Sequence, residues 1–199
     1  MAEVGTTIEN PVTGEAITWI ETTATSGGAV LAFDLALSPD AALAAEHRHV
    51  EQTEDFRVQS GRVGIRIGDE ERELGAGEEA SVPAGVAHRW WPVGEDGALI
   101  RVELRPALRT EAFFETFFGL GRDGKTNAKG IPGLLQIAVA YSELGASCPQ
   151  VVKPPVAVQR LVLTPLAPIG KLLGKRAIYP AYSESRASLA DRPTSPPRR

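Results

Sequence analysis

The sequence predicts a mainly β fold, a barrel or sandwich of short strands, followed by a helical C-terminal extension. Eight segments between residues 17 and 104 combine β-branched or aromatic residues with alternating apolar positions, and turn residues separate them. Many short strands at such close spacing are typical of sandwiches and barrels. Beyond Pro106 the apolar residues instead recur at helical spacing. With 199 residues, 43% of them hydrophobic, the chain is long and apolar enough for one domain with an appendage.

The predicted strands follow one another with short connections. They cover residues 17–20, 30–37, 56–58, 63–67, 71–74, 80–82, 88–91 and 98–104. In the second strand Leu31, Phe33, Leu35 and Leu37 share one face, which we expect to line the core. We interpret Ser60-Gly61 as a turn that separates the third strand from the fourth.

Three helical segments are predicted in the extension. Thr110 is expected to cap the first of them. Its four phenylalanines recur at helical spacing and are interpreted as core: Phe113, Phe114, Phe117 and Phe118. The second covers residues 134–144, with Pro132 in its first turn, and Gly145 ends it. The third, residues 156–173, contains Pro165 and Pro168, which predict a kinked helix or two short pieces.

The predicted domain organisation therefore has three parts. A β-barrel domain covers residues 1–106, and its motif-bearing core lies at about 25–106. The helical extension covers residues 107–182. Residues 183–199 are rich in Ser, Arg and Pro and are expected to be disordered, because this composition cannot bury a core.

Composition and charge exclude several classes of protein. The single cysteine, Cys148, cannot form an intrachain disulfide, and residues 1–5 carry no basic start of a secretory signal, which together favour the cytoplasm. Residues 1–152 contain 12 Lys and Arg against 23 Asp and Glu, a net charge of −11. An acidic body argues against nucleic acid as the partner, since phosphate binding needs a basic face.

The C-terminal end has the opposite charge. Residues 153–199 contain 9 Lys and Arg against 2 Asp and Glu, a net charge of +7, beside an apolar stretch. Such a segment, here residues 153–182, can lie on an anionic membrane surface. Pro165 and Pro168 are expected to interrupt the continuous apolar face that this needs, so we favour a protein that does not bind membranes.

The candidate functional residues are the chain's three histidines and one glutamate. His47 and His49 are one residue apart in a segment with strand signals, so both imidazoles point to one face and Arg48 to the other. Glu54 follows five residues later, and His88 comes after a turn that reverses the chain. If sheet curvature brings these faces together, three neutral nitrogens and one carboxylate oxygen suit Fe, Mn, Ni, Co, Cu or Zn rather than Mg or Ca. Four protein ligands on an octahedral ion would leave two positions for other ligands.

The spacing of these residues resembles that of a known family. The stretch from His47 through His49 and Glu54 to Gly61 is similar to the first motif of the cupins. A second stretch resembles the second cupin motif through Gly77, Pro83, Gly85 and His88. The resemblance implies a double-stranded β-helix jelly roll, in which His47, His49, Glu54 and His88 hold one divalent transition metal, with Fe or Mn favoured. It also implies that Gly61, Gly77, Pro83 and Gly85 shape turns, and that the chain forms a homodimer.

The sequence departs from the family pattern at two positions. Ala41 stands where a glycine is expected, and Pro92 stands where an asparagine is expected. Neither is a metal ligand, so the ligand set is complete. Trp90 has the strand parity of His88 and, with Phe56, either lines a pocket around the metal or simply fills the core, whereas Trp91 is expected to face the other side.

Resemblance does not choose the activity, because cupins include oxygenases, isomerases, decarboxylases and non-catalytic binding modules. We expect a metal site that binds a small organic molecule, and two open coordination positions favour oxygen-dependent oxidation of a chelating substrate. No separate general base is identified beyond the ligands. A non-catalytic ligand-binding or sensing barrel is the first alternative. A membrane-associated or structural protein with a vestigial site is the second.

Overall fold

The computed structural model describes residues 2–41 and 45–183 and has a mainly β fold with C-terminal helices. Its strands are β1 (Thr7–Asn10), β2 (Glu15–Glu21), β3 (Leu31–Leu37), β4 (His47–Arg48), β5 (Thr53–Ile67), β6 (Glu70–Gly75), β7 (Glu79–Val82), β8 (His88–Pro92), β9 (Ala98–Arg105) and β10 (Gln150–Val151). Its helices are α1 (Thr110–Arg122), α2 (Leu134–Leu144), α3 (Val156–Leu172) and α4 (Pro180–Ser183). The tail expected to be disordered lies outside the described residues from position 184 onward.

The strands form two sheets that share β5. They follow the order β1-β2-β3-β9-β5-β8-β4-β10, and β6 and β7 also pair with β5. The first half of β5 pairs with β9 and β7, whereas its second half pairs with β6 and β8. Every pairing between these strands is antiparallel. The jelly-roll fold expected from the sequence is therefore confirmed.

One predicted turn is wrong, because β5 is a single strand of 15 residues. Ser60 and Gly61 stay paired with Leu99 and Ala98 of β9, and the register shifts by a bulge just after Val58. Gly61 has φ 75°, and a Cβ there would lie 2.9 Å from the Cα of Ala98. The glycine thus allows a positive φ and the close approach of Ala98 within a continuous strand, rather than a chain reversal.

The alternation of apolar residues fills the interior between the two sheets. Leu31, Phe33, Leu35 and Leu37 of β3 are all buried, as the period-two pattern predicted. On β5 the same alternation buries residues 54, 56 and 58 and leaves 57 and 59 exposed. The side of β5 that carries Glu54 therefore faces the inside of the barrel.

The helices differ from the prediction in three details. Thr110 is the first residue of α1 rather than its cap, because its hydroxyl donates to the buried side chain of Gln52. Gly133, which is extended, precedes α2, so Pro132 lies outside that helix. Pro165 and Pro168 lie inside one continuous helix, α3. The carbonyls that these prolines leave without a donor belong to exposed residues 161 and 164, where water can satisfy them.

The extension packs against the barrel at two places. The ring of Phe114 lies 5.2 Å from that of Phe33 and 6.4 Å from that of Trp19, and Phe118 joins the same core. Phe113 and Phe117 belong to a second apolar cluster, together with α2. Strand β10 pairs with β4, with Val151 opposite His47, so a segment of the extension borders the strand that carries the first histidine.

Candidate metal centre

The first two histidines lie on and directly after β4, the strand between β8 and β10. His47 opens β4 and His49 follows it, and both are buried, whereas Arg48 points away and donates to Oε1 of Gln150 at 3.1 Å. The rings of His47 and His49 have centroids 5.3 Å apart. The opposite directions of neighbouring side chains on an extended segment account for this arrangement.

The other two residues come from neighbouring strands. Glu54 lies at the start of β5, and His88 is the first residue of β8, directly opposite His47 in the β4–β8 register. The reversal before β8 is held to the first histidine segment, because the Gly85 amide donates to the carbonyl of His49 at 2.7 Å. Gly85 has φ 81°, a conformation that favours glycine.

These elements bring all four predicted residues together. One potential ligand atom from each of His47, His49, Glu54 and His88 lies within 4.8 Å of the others. All four side chains are buried, and His88 is completely inaccessible. Buried ionisable groups are costly unless they are paired with one another or bind a metal, so this cluster is a candidate metal site.

Hydrogen bonds to the backbone orient two of the imidazoles. The Nδ1 atoms of His47 and His88 lie 3.0 Å and 3.1 Å from the carbonyl oxygens of Ala45 and Val86. These nitrogens therefore act as donors, and each Nε2 points into the cluster, where an unprotonated nitrogen can bind a metal. The Nδ1 of His49 is buried with no hydrogen-bond partner among the described residues.

Glu54 is the electrostatic centre of the cluster. Its Oε2 lies 2.7 Å from Nε2 of His88 and 3.4 Å from Nε2 of His49. Burial alone would raise the pKa of Glu54, but the charge and hydrogen bonds of His49 and His88 outweigh it and hold the pKa below its usual range. Burial, with the nearby His88, lowers the pKa of His47 to about 4. Burial also acts to lower the pKa of His88, but its hydrogen bond to Glu54 outweighs this and raises it.

Sequence reasoning missed Gln52, which lies between the ligand residues His49 and Glu54. Its side chain is buried, its amide nitrogen donates to the carbonyl of Pro106 at 2.8 Å, and its amide oxygen accepts from Thr110 at 3.1 Å. Gln52 thus ties the ligand segment to the junction between barrel and extension. Its partners lie more than fifty positions away along the chain, so no local pattern could have identified it.

The predicted pocket residues lie beside the cluster. The Phe56 ring is 6.2 Å from that of His88 and 6.4 Å from that of Trp90, which packs against the barrel core. Trp91 lies on the opposite side, over Gly64, with the Arg89 guanidinium 5.0 Å from its ring centroid. Two residues expected to shape turns do lie in turns. Gly77 has φ 87° in the turn after β6, and the carbonyl of Pro83 accepts a hydrogen bond from the Val86 amide in the turn before β8.

Residues 34–102, from β3 to β9, match the family model described as the cupin domain. The barrel is a cupin domain. The four-residue cluster and the two glycine turns lie within the matched segment. The helical extension lies outside it.

The barrel resembles solved structures of other proteins. KdgF from a Halomonas species is 18% identical, covering 47% of this chain and 79% of its own, with a TM-score of 0.41. An RmlC-like cupin from Shewanella frigidimarina is 18% identical, and the match covers 51% of this chain and 85% of that one, with a TM-score of 0.44. A sugar phosphate isomerase of the cupin superfamily from Silicibacter pomeroyi is 22% identical, and the match covers 48% of this chain and 62% of that one, with a TM-score of 0.42. Likenesses of this size do not indicate a substrate or a reaction. No curated protein matches the chain.

Proposed function

We propose that the cupin barrel holds one divalent transition metal on His47, His49, Glu54 and His88, and that this centre binds and oxidises a small organic molecule. The observation that supports the proposal is the buried set of four ligand atoms within 4.8 Å of one another. Three imidazole nitrogens and one carboxylate oxygen are a donor set that suits Fe, Mn, Ni, Co, Cu or Zn. We favour iron or manganese, as the sequence resemblance implies.

The chemistry of the cluster fits a cation. Metal binding needs unprotonated imidazole nitrogens, and in that protonation state the carboxylate and the three neutral imidazoles carry one net negative charge, which a divalent ion would compensate. The Nδ1 of His49 also has no hydrogen-bond partner among residues 2–41 and 45–183, so the described part of the chain does not satisfy this histidine completely. When bound, the metal would supply Lewis acidity and, as iron or manganese, one-electron redox chemistry.

The chain's own residues would orient the ligands and shape the space around them. The carbonyls of Ala45 and Val86 fix the rings of His47 and His88, and Gln52 anchors the segment between His49 and Glu54. The apolar rings of Phe56 and Trp90 would exclude water and contact the hydrocarbon part of an organic molecule. Outside the cluster we assign no acid or base, so oxygen atoms of the substrate itself would have to chelate the metal.

Oxygen uptake tests the proposal. The protein is loaded separately with Fe(II), Mn(II), Ni(II) and Zn(II), and oxygen consumption is followed with catechols, flavonols, β-diketones, sugars and amino acids. We expect substrate-dependent uptake with the iron or manganese form and none with His88→Ala. A compound that raises the melting temperature of the loaded protein without turnover would instead support a non-catalytic binding barrel. If neither turnover nor stabilisation appears with any compound, the proposed function is wrong.

A further inference from the structure

The outer face of α3 exposes an unusual amount of apolar surface. Of the ten exposed large hydrophobic residues among the described ones, eight lie in the extension: Ile131, Leu134, Val158, Leu161, Val162, Ile169, Leu172 and Leu173. Leu161 is 77% exposed and Leu172 is 88% exposed. Each of residues 158, 161, 162, 165, 169 and 172 lies three or four positions from another member of the set, so together they form one stripe along the helix. We call these six residues the α3 stripe.

The opposite face of α3 is fixed against the rest of the molecule. A Cβ on Gly170 would lie 2.7 Å from Cγ2 of Val139 and 2.8 Å from the carbonyl oxygen of Leu135, so α3 and α2 pack in close contact. Ala167 is buried, and the buried Gln159 donates to the carbonyls of residues 151 and 154 at 2.8 Å and 2.7 Å. Rotating the stripe inward would break these contacts, so the described fold holds it toward solvent.

The segment that contains α3 carries charges of one sign. Residues 144–183 contain no Asp or Glu. Their five cations are Lys153, Arg160, Lys171, Lys175 and Arg176. Arg160 and Lys171 lie on α3 itself, and Lys175 and Arg176 follow its end. Only Lys171 pairs with an acidic side chain in the described part of the molecule, Glu143 at 2.8 Å.

We propose that α3 docks the protein onto the surface of an anionic lipid bilayer, with the α3 stripe in the interface and the cations among the headgroups. An apolar face bordered by Lys and Arg is the pattern of helices that lie in the plane of a membrane, and each cation near anionic lipid adds to the attraction. The helix would lie on the bilayer without crossing it. At 17 residues it is about 25 Å long, and no helix in the described ranges is long and apolar enough to span a membrane.

Two features of the molecule favour lipid over a second copy of the chain. A symmetric dimer across the stripe would bring two sets of five cations together, and like charges at an interface disfavour association. The acidic barrel does not prevent lipid binding, because its repulsion is screened beyond a Debye length of about 8 Å at physiological salt. The sequence predicted that the prolines would interrupt the apolar face. Because α3 is one continuous helix, this reason against membrane binding does not hold.

Vesicle co-sedimentation of the full chain tests the proposal. Vesicles of phosphatidylcholine alone are compared with vesicles that also contain phosphatidylserine, at about 0.1 M and about 1 M NaCl, where the Debye lengths are roughly 10 Å and 3 Å. We expect the protein to pellet with the anionic vesicles at low salt. Leu161→Gln with Leu172→Gln should weaken binding about tenfold or more, and Lys175→Gln with Arg176→Gln should weaken it similarly and reduce its salt dependence.

Val4→Gln is the matched control, because Val4 is 52% exposed but lies at the other end of the chain. It should bind like the unchanged protein. Equal pelleting with and without phosphatidylserine, no pelleting at all, or a stripe variant that binds normally would each overturn the proposal. So would a dimer in the absence of lipid that Leu161→Gln with Leu172→Gln converts to a monomer, because the stripe would then be covered by a second copy.

Discussion

The interior of the barrel and the outer face of α3 differ in which side chains they hide from water. The barrel buries four ionisable residues, His47, His49, Glu54 and His88. The helix exposes leucines, of which Leu172 is 88% exposed. Soluble proteins usually do the opposite, since burying ionisable groups is costly and burying leucine is favourable.

Neither arrangement is explained by the stability of the isolated chain. A cluster of apolar residues would stabilise the barrel interior more than three histidines and a glutamate. Polar residues would suit the exposed face of α3 better than leucine, which there gains nothing from burial. This contrast supports the two proposals, a cation site inside the barrel and a lipid-binding face on α3. The following experiments test how far the two regions depend on each other.

The largest effect is expected from removing the extension. Truncation after Pro106 deletes the buried Phe118 and the half-buried Phe114 that pack in the barrel core, and it removes β10 from its place beside β4. Full burial contributes about 1.5–3 kcal/mol for such a side chain, and partial burial contributes less. We expect an insoluble protein or a melting temperature lower by more than about 10 °C, as scanning calorimetry would show. Truncation after Ser183 is the control and should melt like the full chain. A soluble barrel with an unchanged melting temperature would show that the two parts fold independently.

Removing a metal ligand should abolish tight binding without unfolding the barrel. His47→Ala and His88→Ala should each lower metal affinity by more than about 100-fold, since even outer-shell changes typically cost about 10- to 100-fold. Glu54→Ala should be milder, because water can replace a carboxylate on an octahedral ion more readily than an imidazole. Competition titrations against a chelator measure all three. The ranking is wrong if Glu54→Ala binds as weakly as His47→Ala.

Gln52→Ala should affect both the fold and the site, to a smaller extent. The substitution leaves the carbonyl of Pro106 and the hydroxyl of Thr110 without their buried partner, at a cost of about 1–3 kcal/mol in the free energy of unfolding. Because the segment from His49 to Glu54 then loses its anchor, we expect metal affinity to fall by about tenfold. Gln59→Ala, at an exposed position of β5, is the control and should change stability by less than about 0.5 kcal/mol. Equal effects of the two substitutions would refute the role of Gln52.

The smallest effect concerns Glu15, a carboxylate at the start of β2 whose setting contrasts with that of Glu54. Burial raises the pKa of Glu15 to about 7. Between about pH 4.5 and 7 the folded state therefore holds a proton that the unfolded state releases, so this group lowers stability as the pH rises. Since Glu15 is partly exposed, we expect Glu15→Gln to add about 1–2 kcal/mol at pH 8 and almost nothing at pH 4. Urea unfolding at both pH values measures this, and an equal gain at both would contradict it.

Much of the fold follows from local patterns in the sequence. The alternation at Leu31, Phe33, Leu35 and Leu37 and the cluster from Phe113 to Phe118 both correspond to buried faces. The predictions that were wrong concern residues whose partners are distant in the sequence. Ser60 and Gly61 have the composition of a turn, but pairing with β9 keeps them in a strand. Thr110 is a residue type that commonly caps helices, but its hydroxyl donates a hydrogen bond to Gln52 instead.

The candidate site was easier to predict than its surroundings. The spacing of His47 and His49 on an extended segment fixes their common face, and the motif order identifies Glu54 and His88. The contribution of β10 beside His47 could not be read from the sequence, because a two-residue strand has no detectable period. The homodimer and the cytoplasmic location remain predictions.

Metal content measures the central claim most directly. The full chain is purified without chelator and reloaded with Fe(II), Mn(II), Ni(II) or Zn(II). Its metal content is then measured by elemental mass spectrometry and compared with that of His49→Ala treated in the same way. The buried four-residue cluster predicts about one transition metal per chain in the unchanged protein and a clear loss in the variant, whose melting temperature without metal stays close to that of the parent. Less than about half an equivalent with every metal would contradict the account, because a site of this donor set should fill.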